Sequence, residues 1–81
     1  MRIDKFLKVS RILKRRTVAQ EAADNGRVVV NGRVVKPSYR VSVGDVVELV
    51  YNSGTFKFEI LDIRETVKKE QAELLYRVLE N

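Results

Sequence analysis

The chain has 81 residues, 44% apolar and 33% charged, with no cysteine and no histidine, so disulfide staples, thiolate zinc sites and imidazole acid–base chemistry are excluded. That length holds one small hydrophobic core. The net charge of +5 divides unevenly: residues 1–40 carry eleven Lys or Arg against Asp4, Glu21 and Asp24, and residues 41–81 carry five against eight acidic side chains.

Residues 2–9 put Ile3, Phe6 and Leu7 on one helical face and Asp4, Lys5 and Lys8 on the other, the pattern of a short amphipathic helix. Asp4 either pairs with Lys8 at helical spacing or orients arginines beside it. Ser10 to Arg16 sets four basic residues around Ile12 and Leu13 without a period and reads as an exposed basic loop. Thr17 is a candidate cap for a second helix running to about Asn25, with Val18, Ala19, Ala22 and Ala23 on its apolar face. Gly26 suits the left-handed position that ends a helix. Asn31-Gly32, between Arg27 to Val30 and Arg33 to Lys36, is the dipeptide best fitted to a two-residue hairpin turn with positive φ at both residues. After breaks at Pro37-Ser38 and Gly44-Asp45, Val46 to Tyr51 and Thr55 to Arg64 flank Asn52-Ser53-Gly54 as a second hairpin, residues 46–64. Thr66 can cap a last helix over residues 67–80, with Leu74, Leu75, Val78 and Leu79 as its apolar stripe. The expected fold class is α+β: one domain, two short N-terminal helices packed on a small, mostly antiparallel sheet of four or five strands, and a C-terminal helix.

Arg2, Lys5, Lys8, Arg11, Lys14, Arg15 and Arg16 are seven cations within sixteen residues. A field so segregated attracts polyanions, and guanidinium forks match phosphate oxygens through paired hydrogen bonds. Glu48, Glu59, Asp62 and Glu65 are expected on the back, repelling RNA. Phe6, Phe56 and Phe58 read as core; Tyr39 and Tyr51 remain open as base-stacking residues. Ser10 and Lys14 could meet as a serine–lysine pair, but nothing near them supplies an oxyanion site, so no enzyme, metal or cofactor is expected. A lipid-surface or protein-interaction module is the competing class, weakened because just three apolar residues line the first helix. The longest aliphatic run, Val28-Val29-Val30, is far below a membrane span, and the amino end lacks the apolar stretch of a signal peptide. A cytoplasmic location without a membrane partner follows as the expectation.

The string Arg2-Ile3-Asp4-Lys5-Phe6-Leu7, then Ser10-Arg11, Thr17-Val18-Ala19, Ala23 and Gly26-Arg27-Val28-Val29-Val30-Asn31-Gly32, resembles the RNA-binding domain first seen in the small-subunit ribosomal protein numbered four, the alpha-L motif. The motif covers about residues 1–50. Within that superfamily the basic opening, the Lys14-Arg15-Arg16-Thr17 cluster and the short tail resemble the RqcP family of Gram-positive bacteria, stand-alone copies of the domain. That resemblance implies a factor of ribosome-associated quality control that binds large-subunit ribosomal RNA and peptidyl-tRNA on obstructed 50S subunits and supports alanine tailing by RqcH; a monomer is the expectation for so short a chain. It further implies RNA contacts from Arg2, Lys5, Lys8, Ser10, Arg11, Lys14, Arg15, Arg16, Thr17, Gln20, Asn31 and Lys36. The alternatives are a heat-shock-type protein that recycles stalled large subunits, whose relatives carry a longer basic extension than a sequence ending at Asn81 offers, or a general structured-RNA-binding module.

Overall fold

A computed structural model describes residues 1–79. Helix α1 (Ile3–Val9) has no side-chain cap. Its first amides are satisfied by tertiary contacts instead: Ile3 N–H donates to the Tyr39 carbonyl at 2.7 Å and Asp4 N–H to the Pro37 carbonyl at 3.3 Å. The chain turns through Arg11, at φ 63°, into α2 (Arg16–Asp24). Gly26, at φ 73°, closes α2. Its N–H donates to the Ala23 carbonyl and the Arg27 N–H to the Ala22 carbonyl, a Schellman arrangement that satisfies the last carbonyls.

Five strands follow: β1 (Val28–Val30), β2 (Arg33–Val34), β3 (Val46–Tyr51), β4 (Gly54–Ile60) and β5 (Tyr76–Val78). They lie in the order β2-β1-β3-β4-β5, and every neighbouring pair is antiparallel. Asn31 and Gly32 take φ 51° and 84° in the tight turn, as the sequence predicts. Alternation puts Val28, Val30, Val47, Leu49, Phe58 and Ile60 on the buried face, against Ile3, Phe6 and Leu7 of α1 and Ala19 and Ala23 of α2. The Phe6 and Phe58 rings stack at 6.2 Å. The alanines, four apart on α2, are fully or nearly buried and let the two helices approach closely.

Several expectations need correction. The helix expected over 67–80 is a 3-10 helix at Lys69–Leu75 followed by β5; Glu80 and Asn81 lie outside the described residues. The tail turns to strand because β4 otherwise ends the sheet with open backbone groups. Phe58, Glu59 and Ile60 pair with Val78, Arg77 and Tyr76, Leu75 and Ala72 are buried, and Tyr76 packs edge-on against Phe58. β4 stops at Ile60 rather than Arg64. α2 begins at Arg16 with Arg15 in the cap position and no side-chain cap bond, so Thr17 does not cap it. Asp4, expected on the solvent face of α1, is fully buried.

Candidate nucleic-acid interface

At 3.6 residues per turn Asp4 lies roughly 60° from Leu7, on the margin of the apolar stripe. There it becomes the acceptor around which the two helices organise their cations. Its Oδ1 takes the Lys5 N–H at 2.8 Å and the Arg16 Nη2 at 3.4 Å. Its Oδ2 takes the Gln20 Nε2 at 2.9 Å, the Arg2 Nη2 at 3.1 Å and the Arg16 Nε at 3.3 Å. Arg16 and Gln20 are one helical turn apart, which is why both reach the same carboxylate. Burial pushes the Asp4 carboxyl upward, but the bonds from Gln20, Arg16 and the Lys5 amide, with the Arg16 charge, outweigh it and hold the group below its ordinary value. Asp4 therefore stays ionised and orients arginines rather than pairing with Lys8.

Both arginine side chains remain 42% exposed. Arg2 is held through its Nη2, with its Nε buried and unpartnered among the described residues, and Arg16 through its Nε and Nη2, so little rotamer freedom is left to lose on binding. Arg15 and Arg16 also stand at the positive end of the α2 dipole, where cations are locally unfavourable. Arg11 occupies the left-handed position after α1, where glycine is cheaper by about 1–2 kcal/mol. At both places a different residue type would cost the fold less.

The remaining expected contacts separate into three groups. Lys8, Arg11, Lys14, Arg15 and Thr17 are exposed on the helical layer and its loop, and Lys36 is exposed after β2. Lys8, Arg11 and Lys14 line one cleft. Lys5 is half-buried and ion-paired with Glu65, so Glu65 sits beside α1 and not on the back as expected. Its carboxyl is held below the ordinary value by that Lys5 hydrogen bond and charge.

Ser10 and Asn31 serve the fold. Ser10 is 1% exposed and its hydroxyl donates to the Leu7 carbonyl, which removes it both as an RNA contact and as half of a serine–lysine pair. The Asn31 amide nitrogen donates to Asp45 Oδ1 at 3.0 Å, and its oxygen accepts the Val46 N–H at 2.9 Å. The hairpin tip is thereby tied to the turn before β3, with both ends of the Asn31 side chain engaged.

On the outer face of the sheet Arg77 pairs with Glu59 at 2.5 Å, and Glu48 stands opposite Lys57 across the strands. Charges there balance, in contrast to the helical layer. Among the described residues no helix is long and apolar enough to cross a membrane.

The class defined by two basic helices on this sheet is matched directly: residues 1–47 fit the S4 domain, and the chain belongs to the S4-domain family. It is 47% identical to the RQC P-site tRNA stabilizing factor of Halalkalibacterium halodurans over 78 residues, 96% of this chain and 89% of that protein. It is 46% identical to the factor of the same name from Streptococcus pneumoniae over 79 residues, 98% of this chain and 90% of that one. Among solved structures, the trimeric heat shock protein 15 of Vibrio cholerae superposes with a TM-score of 0.89 at 30% identity, covering 98% of this chain and 81% of that one.

Proposed function

We propose that the chain is a non-catalytic, cytoplasmic, ribosome-associated factor of ribosome quality control. In this reading it docks on large-subunit ribosomal RNA and on the tRNA of an obstructed 50S subunit, so that RqcH can extend the nascent chain with alanine. The observation that carries the reading is the arginine pair gathered on Asp4: Arg2, in the extended residue before α1, and Arg16, the first residue of α2, share one buried carboxylate and stay two-fifths exposed. Fixed guanidinium groups of this kind suit a rigid array of phosphates. Similarity to factors named for stabilizing P-site tRNA supports tRNA as a ligand.

The RNA contacts in this reading are Arg2, Lys8, Arg11, Lys14, Arg15, Arg16, Thr17 and Lys36, with Gln20 and Lys5 contributing beside them. Neutralising about four to six phosphates makes affinity fall steeply with salt, because each contact releases condensed counterions. Sedimentation tests the reading. The parent protein travels with isolated large subunits carrying tRNA at moderate salt, while Arg2→Ala and Arg16→Ala remain on top with unchanged circular dichroism. A parent protein absent from large subunits ends the reading, and normal sedimentation of both variants removes the arginines from the site. The backbone likeness to heat shock protein 15 supports a second reading, a factor that recycles stalled large subunits; persistence of alanine tailing after deletion of this protein favours that alternative.

A further inference from the structure

We propose that a cleft joining the two halves of the chain binds an RNA phosphodiester, and that Lys69 and Thr66, from the acidic half, are contacts within it. The cleft measures about 550 Å³ and lies between the end of α1, the loop after it and the segment that leads into the 3-10 helix. Ligand sites commonly fall at about 300–1,000 Å³. Lys8, Arg11, Lys14 and Lys69 all line it. Among the described residues Glu65 is the one carboxylate in its wall, and that carboxylate is engaged by Lys5.

Four cations therefore share one cavity whose single anion is already balanced from outside. Like charges held this close repel one another, and a bound polyanion removes that repulsion. Val9, Leu13 and Val67 form the apolar part of the wall, which strengthens the attraction of the cations for phosphate by lowering the local dielectric. The Lys5–Glu65 pair straps the linker after β4 onto α1 and so carries Thr66 and Lys69 to the basic loop. Thr66 adds a neutral donor that fits a phosphate or ribose oxygen. The negative sum of residues 41–81 hides this contribution, because Lys69 acts with the amino-terminal cations and not with its own half.

The inference rests on the chain being an RNA-binding protein. Fluorescence anisotropy with labelled tRNA, titrated at several salt concentrations, tests it on the full chain. Lys69→Gln weakens binding and lowers the slope of log affinity against log salt by about 0.7–1, the share of one phosphate contact. Lys69→Arg restores both, and Lys68→Gln, at the exposed neighbour that lies outside the cleft, leaves the slope unchanged. An unaltered slope in Lys69→Gln overturns the inference, as does an equal loss in Lys68→Gln, which reports a diffuse field. If the parent binds and Arg16→Ala does not, while Lys69→Gln binds as the parent does, RNA binding stands and the cleft alone fails. If the parent itself does not bind, both fall.

Discussion

Replacing Asp4 by asparagine separates orientation of charge from amount of charge. The side chain is fully buried and accepts bonds from Arg2, Arg16, Gln20 and the Lys5 amide. Asparagine keeps the size but loses the charge and turns an NH₂ toward donors. A hydrogen bond to a charged group contributes about 1.5–3 kcal/mol. Both arginines are two-fifths exposed and return partly to water, so the summed loss of stability is discounted to about 2–3 kcal/mol. For a chain of this length that lowers Tm by roughly 10–20 °C.

The effect on RNA has the opposite sign from a charge count. Asp4→Asn raises the net charge by one, so attraction set by total charge makes binding tighter. Freeing two arginine side chains adds about 0.5–1 kcal/mol of ordering cost for each, which makes binding about 5- to 30-fold weaker. Anisotropy with labelled tRNA, at a temperature where circular dichroism shows both proteins folded, reads the difference. Parent-like or tighter binding by folded Asp4→Asn refutes the role assigned to the carboxylate.

Acid should expose the same group. The Asp4 carboxyl is held below its ordinary value of 3.8, so its contribution to stability is present above that pH and is lost as pH falls through the lower folded value. Urea unfolding below about pH 4 should therefore weaken the parent more steeply than Asp4→Asn. Leu75→Ala, at a site 1% exposed, should cost about 2–5 kcal/mol in the same assay; a loss below 1 kcal/mol, measured against that range, would mean that the tail does not anchor on the sheet. Asn31→Ala removes two side-chain bonds and should cost about 1–3 kcal/mol of stability while changing tRNA affinity less than about twofold, well under one contact's share. A large affinity loss without destabilisation would return Asn31 to the interface.

What could be read in the sequence was local. Asn31-Gly32 defines its turn because few other pairs take positive φ twice in succession, and Gly26 ends α2 for a related reason. The apolar spacing of Ile3, Phe6 and Leu7 and the alternation in β3 and β4 mark the core face without any knowledge of partners. The tail was different: Gln71 to Leu79 carries a helical stripe as well as a run fit for a strand. The open edge of β4, which decides between them, is remote in sequence. Pairing across such a distance overrides local preference.

The site was legible as a charge density and not as an arrangement. Ser10 and Asn31 look like ligands in a list of polar residues, but Ser10 is turned back onto Leu7, three residues earlier, and Asn31 is engaged by Asp45 and Val46 from a turn remote in sequence. Asp4 offers a weak signal, a lone carboxylate among cations beside the apolar stripe of a helix, and spacing alone leaves Lys8 and the arginines equally open as its partners. Glu65 and Lys69 gave none, since their neighbours in space are about sixty residues away in sequence.

Cross-linking gives the most direct test. Ultraviolet irradiation of large subunits carrying tRNA and this protein, followed by mass spectrometry of nucleotide-bearing peptides, locates the face that meets RNA. Adducts should fall on peptides spanning residues 8–16 and be absent from Lys57 and Arg77 on the outer face of the sheet, where Arg77 pairs with Glu59 and Lys57 stands opposite Glu48 in register. Adducts concentrated at Lys57 and Arg77, with residues 2–16 unmodified, would contradict docking through the helical layer.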